Sequence, residues 1–470
     1  MSLAEQAFGG ILGEMTNNKH VSINLNIRGI GQSPTLAINE LCRQLQSRGR
    51  TVYRLGLGQS PFPVPQPVVE ALKMHAHEKD YLPVMGLESL RKAVAHFHRL
   101  KDNVDVRANY VLIGPGSKEL MFLLQLVYYG DIILPTPCWV SYAPQARIIG
   151  RHIKYVHTSY DNKWKLTAHQ LRGFLSREND YYKPRLLVLN YPSNPDGGTY
   201  GAEELEKIAK IARKHEMLIL SDEIYGQLHY EGKHVSIARF YPEGTIISSG
   251  LSKWCGAGGW RLGTFAFPPA ADWLMNAMAA VASETYTSVS APIQYAAARA
   301  FVGGIVIERY LWHVRRILSC IGRQSTKILR KARIKVHAPA GAFYLFLDFS
   351  RLSEKLKKRK ITNSTSLCKK LLKETGVAIL PGESFQRPAE ELTARAAFVN
   401  FDGAKALALS ETIPLSEKLP EDFGATCCTP VFEAVQKIAD WVNQEASASA
   451  GPPGAGKAGK ISQVNQPVGV

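Results

Sequence analysis

Short apolar runs alternate with helical patterns through most of the chain, and this alternation limits the folds that it can adopt. Six of the runs are bounded by turn residues and lie at 110–113, 131–134, 186–189, 217–220, 245–247 and 264–267. Strands separated by helices in this way form a mostly parallel sheet with crossover helices on its faces. The sequence therefore predicts an α/β fold. Because ligands in such sheets bind beyond the carboxyl ends of the strands, the residues that follow each run are the candidates for a site.

Size and composition narrow the class of protein further. A chain of 470 residues is long enough for two packed domains, since a single core stops growing near ~250–300 residues. Its apolar runs all fall short of the ~20 residues that a membrane-spanning helix needs. The net charge of +17 comes from scattered basic residues. That pattern favours attraction of small anions, or solubility alone, over a surface for nucleic acid.

The N-terminus and the cysteines indicate a cytosolic protein. Residues 1–20 include Glu5 and Glu14 and lack the charged, apolar and small-residue pattern of a secretory signal. The seven cysteines include the adjacent pair Cys427 and Cys428, which makes a poor structural disulfide, and they show no paired metal-ligand spacing. We therefore expect reduced thiols and no metal site.

Two of the predicted strands are followed by turns that suit a phosphorylated aromatic ligand. After 110–113, a helix is expected to begin at Gly116, Ser117 and Lys118, whose backbone amides could hold a phosphate. After 131–134 comes Trp139, whose ring could stack on a planar heteroaromatic ring. Each signal also has a structural explanation, as a simple turn before a helix and as a core tryptophan.

Two further strands end in polar side chains. Asn194 follows 186–189 in a turn stiffened by prolines, which could aim its amide at a phenolate oxygen. Asp222 is expected at the end of the next strand, with Tyr225 one helical turn on. A carboxylate paired with a pyridinium nitrogen keeps that nitrogen protonated. Taken singly, each of these is more often an ordinary loop residue.

Lys253 completes the set of candidate residues. It lies just ahead of the segment 259–263, which contains Arg261. A carboxylate, a phenol, an amine and a guanidinium, in this order along the chain, meet the needs of pyridoxal phosphate. That cofactor requires a lysine for a Schiff base, an anion beside its ring nitrogen, a donor at its ring hydroxyl and a cation at its phosphate.

Together these motifs resemble the fold type I pyridoxal phosphate enzymes, particularly the class I and II aminotransferases of the aspartate aminotransferase family. The resemblance covers about residues 22–442. It implies a large cofactor-binding domain, with a mostly parallel mixed sheet flanked by helices, and a smaller α+β domain. The implied divisions are an N-terminal segment packed with the small domain at 1–57, the large domain at 58–319, the small domain at 320–442 and a disordered tail at 443–470.

The resemblance also implies a role for each candidate residue. Lys253, Asp222 and Tyr225 would be catalytic, at the Schiff base, the ring nitrogen and the ring hydroxyl. The implied cofactor-binding residues are Gly116, Ser117, Lys118, Trp139, Asn194, Asp222, Tyr225, Ser252, Lys253, Arg261 and Tyr81. The implied substrate-binding residues are Gly58, Lys118, Trp139, Asn194 and Arg395.

Two of these roles carry further implications. Tyr81 resembles the tyrosine that reaches the phosphate of the neighbouring subunit, which implies an obligate homodimer with shared sites. Arg395 would hold the substrate α-carboxylate through a bidentate fork that a lysine cannot reproduce.

The chain departs from the family pattern in three places. Gly250 stands where many relatives carry a serine that binds the phosphate, so one hydrogen bond to the phosphate would be absent. The pattern near Gly58 reads Gln59-Ser60, and the stretch after Arg395 is long. Part of that stretch, 402–430, is broken by prolines and a glycine, and we assign it no role.

The predicted function is transamination between an L-amino acid and a 2-oxo acid in amino acid metabolism. Lys118 favours aspartate or glutamate, because in the similar bacterial-type aspartate and prephenate aminotransferases a lysine at this place contacts a distal carboxylate. The alternative is a lysine that is merely solvated at the start of its helix.

Two other functions remain open from the sequence. One is a pyridoxal phosphate-dependent lyase, such as a carbon–sulfur lyase or an aminocyclopropane carboxylate synthase, which would share nearly every residue named above. The other is an amino-acid-sensing regulator, which would need a DNA-binding domain. The residues ahead of Gly58 look instead like a helix and strand of the enzyme fold.

Overall fold

A seven-stranded sheet forms the centre of the larger part of the molecule. The computed structural model describes residues 23–178 and 183–444. The strands are β1 (Tyr53–Arg54), β2 (Val111–Gly114), β3 (Asp131–Thr136), β4 (Ile153–His157), β5 (Arg185–Asn190), β6 (Leu218–Asp222), β7 (Thr245–Gly250), β8 (Gly263–Ala266), β9 (Tyr344–Asp348), β10 (Val377–Ala378), β11 (Leu380–Pro381) and β12 (Thr393–Ala397). The large sheet has the order β2-β8-β7-β6-β5-β3-β4. Its pairs are parallel except those of β8, which runs antiparallel to both β2 and β7.

The α/β architecture predicted from the sequence is confirmed. Each of the six apolar runs forms one strand of the large sheet, with its ends within three residues of the predicted ones. Strands buried on both faces read as continuous apolar runs, which is why these six were visible. The edge strand β4 was not predicted, because most of its residues are only half-buried and polar residues interrupt it.

Helices cover both faces of the large sheet and extend beyond it. They are α1 (Pro34–Ser47), α2 (Gln66–Met74), α3 (Glu88–Phe97), α4 (Ser117–Val127), α5 (Tyr142–Ile148), α6 (Ala168–Leu175), α7 (Ala202–Lys214), α8 (Asp272–Thr285), α9 (Ala291–Val302), α10 (Ile305–Lys331), α11 (Ser353–Lys358), α12 (Ser364–Thr375), α13 (Gly403–Glu411), α14 (Phe423–Cys427) and α15 (Thr429–Asn443). On β5, Leu186 and Val188 pack with α4 and α8, whereas Leu187 and Leu189 pack with α6 and α7. The alternation of side chains along the strand thus supplies both hydrophobic layers.

The remaining strands form two small sheets. β9, β11 and β12 make an antiparallel sheet in the order β11-β12-β9, and β1 pairs in parallel with β10. The pairing of β1 with β10 joins the segment before residue 58 to the C-terminal part of the chain. The proposed domain division stays a prediction, and α10 runs unbroken across its 319/320 boundary.

Two expectations fall partly outside the described residues. Residues 1–20, on which the cytosolic prediction rests, and residues 445–470 of the predicted tail are not described. Within the described ranges, none of the helices combines the length and apolar character required to cross a membrane.

The register of the large sheet gathers polar residues at one edge. Asp222 ends β6 and lies opposite Asn190, the last residue of β5, and opposite Ser248 of β7. Gly263 begins the antiparallel β8 at the same edge, where it pairs with Gly114 and Gly250. The carboxyl ends of the parallel strands and the start of α4 therefore surround one cleft.

Candidate active site

Asp222 lies at the base of this cleft and is almost fully enclosed, with 3% of its surface exposed. The Tyr142 hydroxyl donates a 2.5 Å hydrogen bond to its Oδ2 atom. Burial raises the pKa of Asp222 to about 6, and the hydrogen bond from Tyr142 opposes that rise by favouring the ionised form. A carboxylate in this position is best stabilised by a cationic ligand atom beside it.

A second carboxylate fixes the backbone behind Asp222. Glu223 accepts hydrogen bonds from the hydroxyls of Ser221 at 2.7 Å and Ser236 at 2.6 Å, and it lies 2.7 Å from Nε2 of His234. Burial alone would raise the pKa of Glu223, but the positive charge on His234 and the hydroxyl donors hold it below its ordinary value. This network holds the end of β6 in place, although Nδ1 of His234 has no hydrogen-bond partner.

Lys253 lies in the loop after β7, across the cleft from Asp222. Its half-buried Nζ atom donates a 2.9 Å hydrogen bond to the carbonyl oxygen of Gly58. The same atom lies 5.6 Å from the ring centre of Tyr225. Burial and the positive charge of Arg395 lower the pKa of Lys253 to about 8, so part of the amine is neutral near neutral pH. Such an amine can act as a nucleophile and as a base.

Tyr225 and Tyr344 form a buried pair of phenols beside Lys253. Their hydroxyl oxygens are 2.7 Å apart, and burial raises the pKa of both groups, so both stay protonated. A Cβ atom built on Gly58 would come within 2.0 Å of the Tyr344 hydroxyl. Glycine is therefore required at position 58 by the space that Tyr344 occupies.

Arg395 supplies a buried cation on the opposite wall. It projects from β12 with 1% of its surface exposed, and its guanidinium donates to Oδ1 of Asn194 at 2.9 Å and to the carbonyl oxygen of Gly56 at 2.5 Å. Its Nε atom has no hydrogen-bond partner, and no carboxylate within the described ranges pairs with it. A buried guanidinium without a counterion is suited to bind an anion.

The start of α4 forms a cradle for a second anion. Gly116, with a φ angle of 87°, precedes the helix, and no side chain caps the first amides. The Arg261 guanidinium donates to the carbonyl oxygen of Pro115 at 3.3 Å. A Cβ atom built on Gly116 would lie 2.1 Å from Nη2 of Arg261. Gly263 packs equally closely against the start of α4, since a Cβ atom built on it would lie 2.1 Å from the amide nitrogen of Ser117. The backbone amides and Arg261 thus converge without intervening side chains.

Trp139 and Lys118 line the outer part of the cleft. The half-buried Trp139 ring packs edge-on against Tyr142 with 5.2 Å between ring centres. The Lys118 ammonium lies 5.4 Å from the centre of the Trp139 ring, although the residue as a whole is exposed. Local burial, together with the positive charge of Arg261, lowers the pKa of Lys118.

Three other positions singled out from the sequence are Tyr81, Ser252 and Gly250. Tyr81 is 88% exposed and takes no part in the contacts described above. The half-buried Ser252 adjoins Lys253 and Gly258, with a Cβ on Gly258 placed 3.3 Å from its carbonyl oxygen. A Cβ on Gly250 would approach the carbonyl oxygen of Leu262 to 2.6 Å, so the local backbone leaves no room for a side chain at this position.

The sequence did not reveal three residues that position these groups. Tyr142 binds Asp222, Tyr344 binds Tyr225, and the Oδ1 atom of Asn190 accepts the amide hydrogen of Asn194 at 2.8 Å. Tyr142 begins α5 and Asn190 ends β5, next to the segments that the sequence had marked, but neither residue carried a signal for its partner. Tyr344 carried no signal, since it lies 119 residues from Tyr225 along the chain.

Comparison with known proteins agrees with this geometry. Residues 50–396 match the sequence profile of the family described as aminotransferase class I and II. An aspartate aminotransferase of Bacillus sp. (strain YM-2) is 32% identical over 373 residues, which cover 77% of this chain and 92% of that protein. An asparagine–oxo-acid transaminase of Streptococcus mutans is 32% identical over 375 residues, covering 76% of this chain and 90% of that protein.

A solved structure extends the likeness to three dimensions. The aspartate aminotransferase from Thermus thermophilus with maleate superposes with a TM-score of 0.75 at 26% identity, covering 89% of this chain and 99% of that chain. Among the three functions considered from the sequence, the aminotransferase is thus confirmed. The chain belongs to the class I and II aminotransferase family, and it is a transaminase that depends on pyridoxal 5'-phosphate.

Proposed function

We propose that this enzyme transfers the amino group between a dicarboxylic L-amino acid, aspartate or glutamate, and a 2-oxo acid. The observation that carries this proposal is the set of charges around Lys253. Three other cations, Arg395, Arg261 and Lys118, act on its amine, against the single carboxylate of Asp222. A cofactor phosphate, an α-carboxylate and a distal carboxylate would give each of these three cations an anionic partner.

The described residues fit the cofactor. The amides of Ser117 and Lys118 at the uncapped start of α4 suit its phosphate, together with Arg261 and the Ser252 hydroxyl. Asp222 suits the ring nitrogen, and Trp139 offers a ring face. When bound, the cofactor supplies an electron sink for the pair released at the substrate Cα.

Asn194 and Tyr225 are the proposed donors to the ring hydroxyl. Because Oδ1 of Asn194 already accepts from Arg395, its Nδ2 group is left to donate into the cleft. Tyr225 is held by Tyr344 and stays protonated, so its hydroxyl can also donate. These fixed donors orient the ring before any substrate arrives.

Lys253 is the proposed site of covalent attachment and the proton carrier. The carbonyl of Gly58 holds its Nζ atom within the cleft, and the lowered pKa leaves the free amine able to take a proton from the substrate Cα and return it. Arg395 holds the α-carboxylate so that the Cα–H bond faces this amine.

Lys118 is the proposed determinant of the dicarboxylic preference. Its ammonium is positioned over Trp139 and has no carboxylate partner among the ion pairs of the described residues. The Thermus thermophilus relative was solved with maleate, a dicarboxylate. The asparagine–oxo-acid transaminase among the relatives points to the amide of aspartate as a second substrate class to test.

We also propose a homodimer in the cytosol. An exposed Tyr81 is suited to contact the phosphate in the site of a second subunit. All seven cysteines are free, which suits a reducing compartment.

Replacing Lys253 with Ala should lower turnover by at least about 10³-fold, because the base and the covalent attachment are lost together. Steady-state transamination assays would measure this, and hydride reduction followed by peptide mapping should place the cofactor label on Lys253 in the unaltered enzyme. Lys207→Ala, at an exposed lysine that pairs with Glu203, is the control. Label on another lysine would contradict the assignment.

Replacing Lys118 with Ala should reduce the kcat/KM ratio for aspartate over phenylalanine by roughly 10- to 100-fold, because a charge-assisted hydrogen bond to the distal carboxylate is lost. Activity with phenylalanine should change little. The matched control is Lys165→Ala, which removes a lysine placed over another aromatic ring, that of Tyr200. An unchanged ratio would remove the substrate proposal and leave the transaminase assignment intact.

Replacing Tyr142 with Phe should raise the pKa of Asp222 further above its ordinary value, because the donor that favours the charged form is removed. As the pH is lowered, Asp222 would then become protonated at a higher pH than it does in the unaltered enzyme. The acid limb of the kcat/KM profile should move up by roughly one to two pH units. Tyr53→Phe, which removes a hydroxyl on β1 that donates to Glu433 of α15, should leave the limb in place. An unmoved limb in Tyr142→Phe would show that this hydroxyl does not set the charge.

Mixed dimers test whether Tyr81 acts across the interface. Combining subunits that carry Lys253→Ala with subunits that carry Tyr81→Phe should restore one native site per mixed dimer, and about a quarter of the wild-type activity in a statistical mixture. Combining Lys253→Ala with Arg261→Ala should restore nothing, since both residues serve the site of their own subunit. Absence of recovery in the first mixture would place Tyr81 in its own subunit or outside the site.

A further inference from the structure

A pair of adjacent thiols lies in the segment 402–430, to which the sequence assigned no role. Cys427 ends α14 and Cys428 precedes α15, beyond residue 396 where the family match stops. Their sulfur atoms are 3.5 Å apart, and the two residues are 6% and 0% exposed. The proposed aminotransferase chemistry uses neither thiol.

The two thiols are electrostatically unequal. The contact with the Cys428 thiol, together with the nearby charge of Lys405, lowers the pKa of Cys427 despite burial, and the Cys427 thiol also donates a 3.1 Å hydrogen bond to the carbonyl oxygen of Phe423. The contact between the two thiols, together with burial, raises the pKa of Cys428. Cys427 is therefore the more acidic of the two thiols. Redox-sensing cysteines are acidic thiols that lie within reach of solvent, often next to a second cysteine.

The surrounding segment offers a route to these thiols. α14 has only five residues, and most of the residues from 412 to 422 are exposed. The side chain of Gln324 holds the chain just ahead of α14, because it donates to the carbonyl oxygen of Glu421 at 2.7 Å. The same side chain donates to Sγ of Cys320 at 3.3 Å. The inward side of α14 is buried at Phe423 and Gly424, so a peroxide would reach the two thiols when this short helix opens locally.

A bond between these sulfurs would be readily reversible. Consecutive Cα atoms are about 3.8 Å apart across a trans peptide, whereas disulfides normally join Cα atoms about 4.4–6.8 Å apart. A strained disulfide is more easily reduced than a structural one. Adjacent cysteines therefore suit a bond that forms and breaks, rather than one that staples the fold.

We propose that Cys427 and Cys428 form a reversible two-electron oxidation site for hydrogen peroxide. The Cys427 thiolate attacks one peroxide oxygen, the O–O bond breaks, and the leaving hydroxide takes a proton to become water, which leaves a sulfenic acid. The Cys428 thiol then attacks that sulfur and its proton departs with the hydroxyl as a second water. Two thiols are oxidised to one disulfide while one molecule of hydrogen peroxide is reduced, and a dithiol reductant reverses the change.

The test treats the full-length, cofactor-loaded enzyme with hydrogen peroxide, blocks the remaining thiols by alkylation and maps the peptides by mass spectrometry. The peptide with Cys427 and Cys428 should lose two hydrogens, escape alkylation and recover both thiols with dithiothreitol. It should react at least about tenfold faster than Cys42, a buried thiol on α1 whose pKa burial raises to about 11. Oxidation elsewhere with this peptide unchanged, or a disulfide from either thiol to Cys320, would overturn the proposal.

Two variants separate the steps. In Cys428→Ser, peroxide should leave a sulfenic acid on Cys427 that dimedone traps, whereas in Cys427→Ser dimedone should label neither position. Cys42→Ser should behave as the unaltered enzyme. If dimedone labelled Cys428 in Cys427→Ser as strongly as it labels Cys427 in Cys428→Ser, the proposal that Cys427 reacts first would be contradicted. Phenylarsine oxide, which bridges paired thiols, should protect the unaltered pair from alkylation, so the result does not depend on the variants folding or on aminotransferase activity.

Discussion

The imbalance of charge around one half-buried amine governs the rest of this structure. Lys253 experiences three other cations and one carboxylate, and burial prevents water from screening them fully. Burial, and after it the surrounding cations, lowers the pKa of this amine, which is the property that a base and nucleophile at neutral pH requires. The same imbalance leaves Arg395 and Lys118 available for anions, so catalysis and anion binding have a common electrostatic origin.

Close packing maintains this arrangement without help from a ligand. Position 58 cannot carry a side chain because the Tyr344 hydroxyl occupies that space, and its carbonyl is thereby free to hold the amine of Lys253. Gly116 allows the Arg261 guanidinium to lie against the first turn of α4. Behind the cleft, the Glu223 network fixes the end of β6 and hence the position of Asp222. The groups that would meet a cofactor are thus held by neighbours that would not touch it.

The sequence anticipated most of the large sheet, because its central strands are buried on both faces and read as unbroken apolar runs. It missed β4, whose polar edge gives no such signal. It expected Tyr225 one helical turn beyond Asp222, and the chain instead makes a short non-α-helical turn there. That turn still brings the hydroxyl of Tyr225 next to Tyr344, so the difference lies in the backbone rather than in the contact.

By itself the sequence determined the order of strands and helices and the residue types that follow each strand, because both are local properties of the chain. It therefore identified Asp222, Asn194, Lys253 and Arg261 as candidates before any contact was known. Only the tertiary structure decided that Tyr142 donates to Asp222 and that Arg395 donates to Asn194, which lies 201 residues away along the chain. Such partners are chosen by how strands from distant segments align, and no local pattern encodes that alignment.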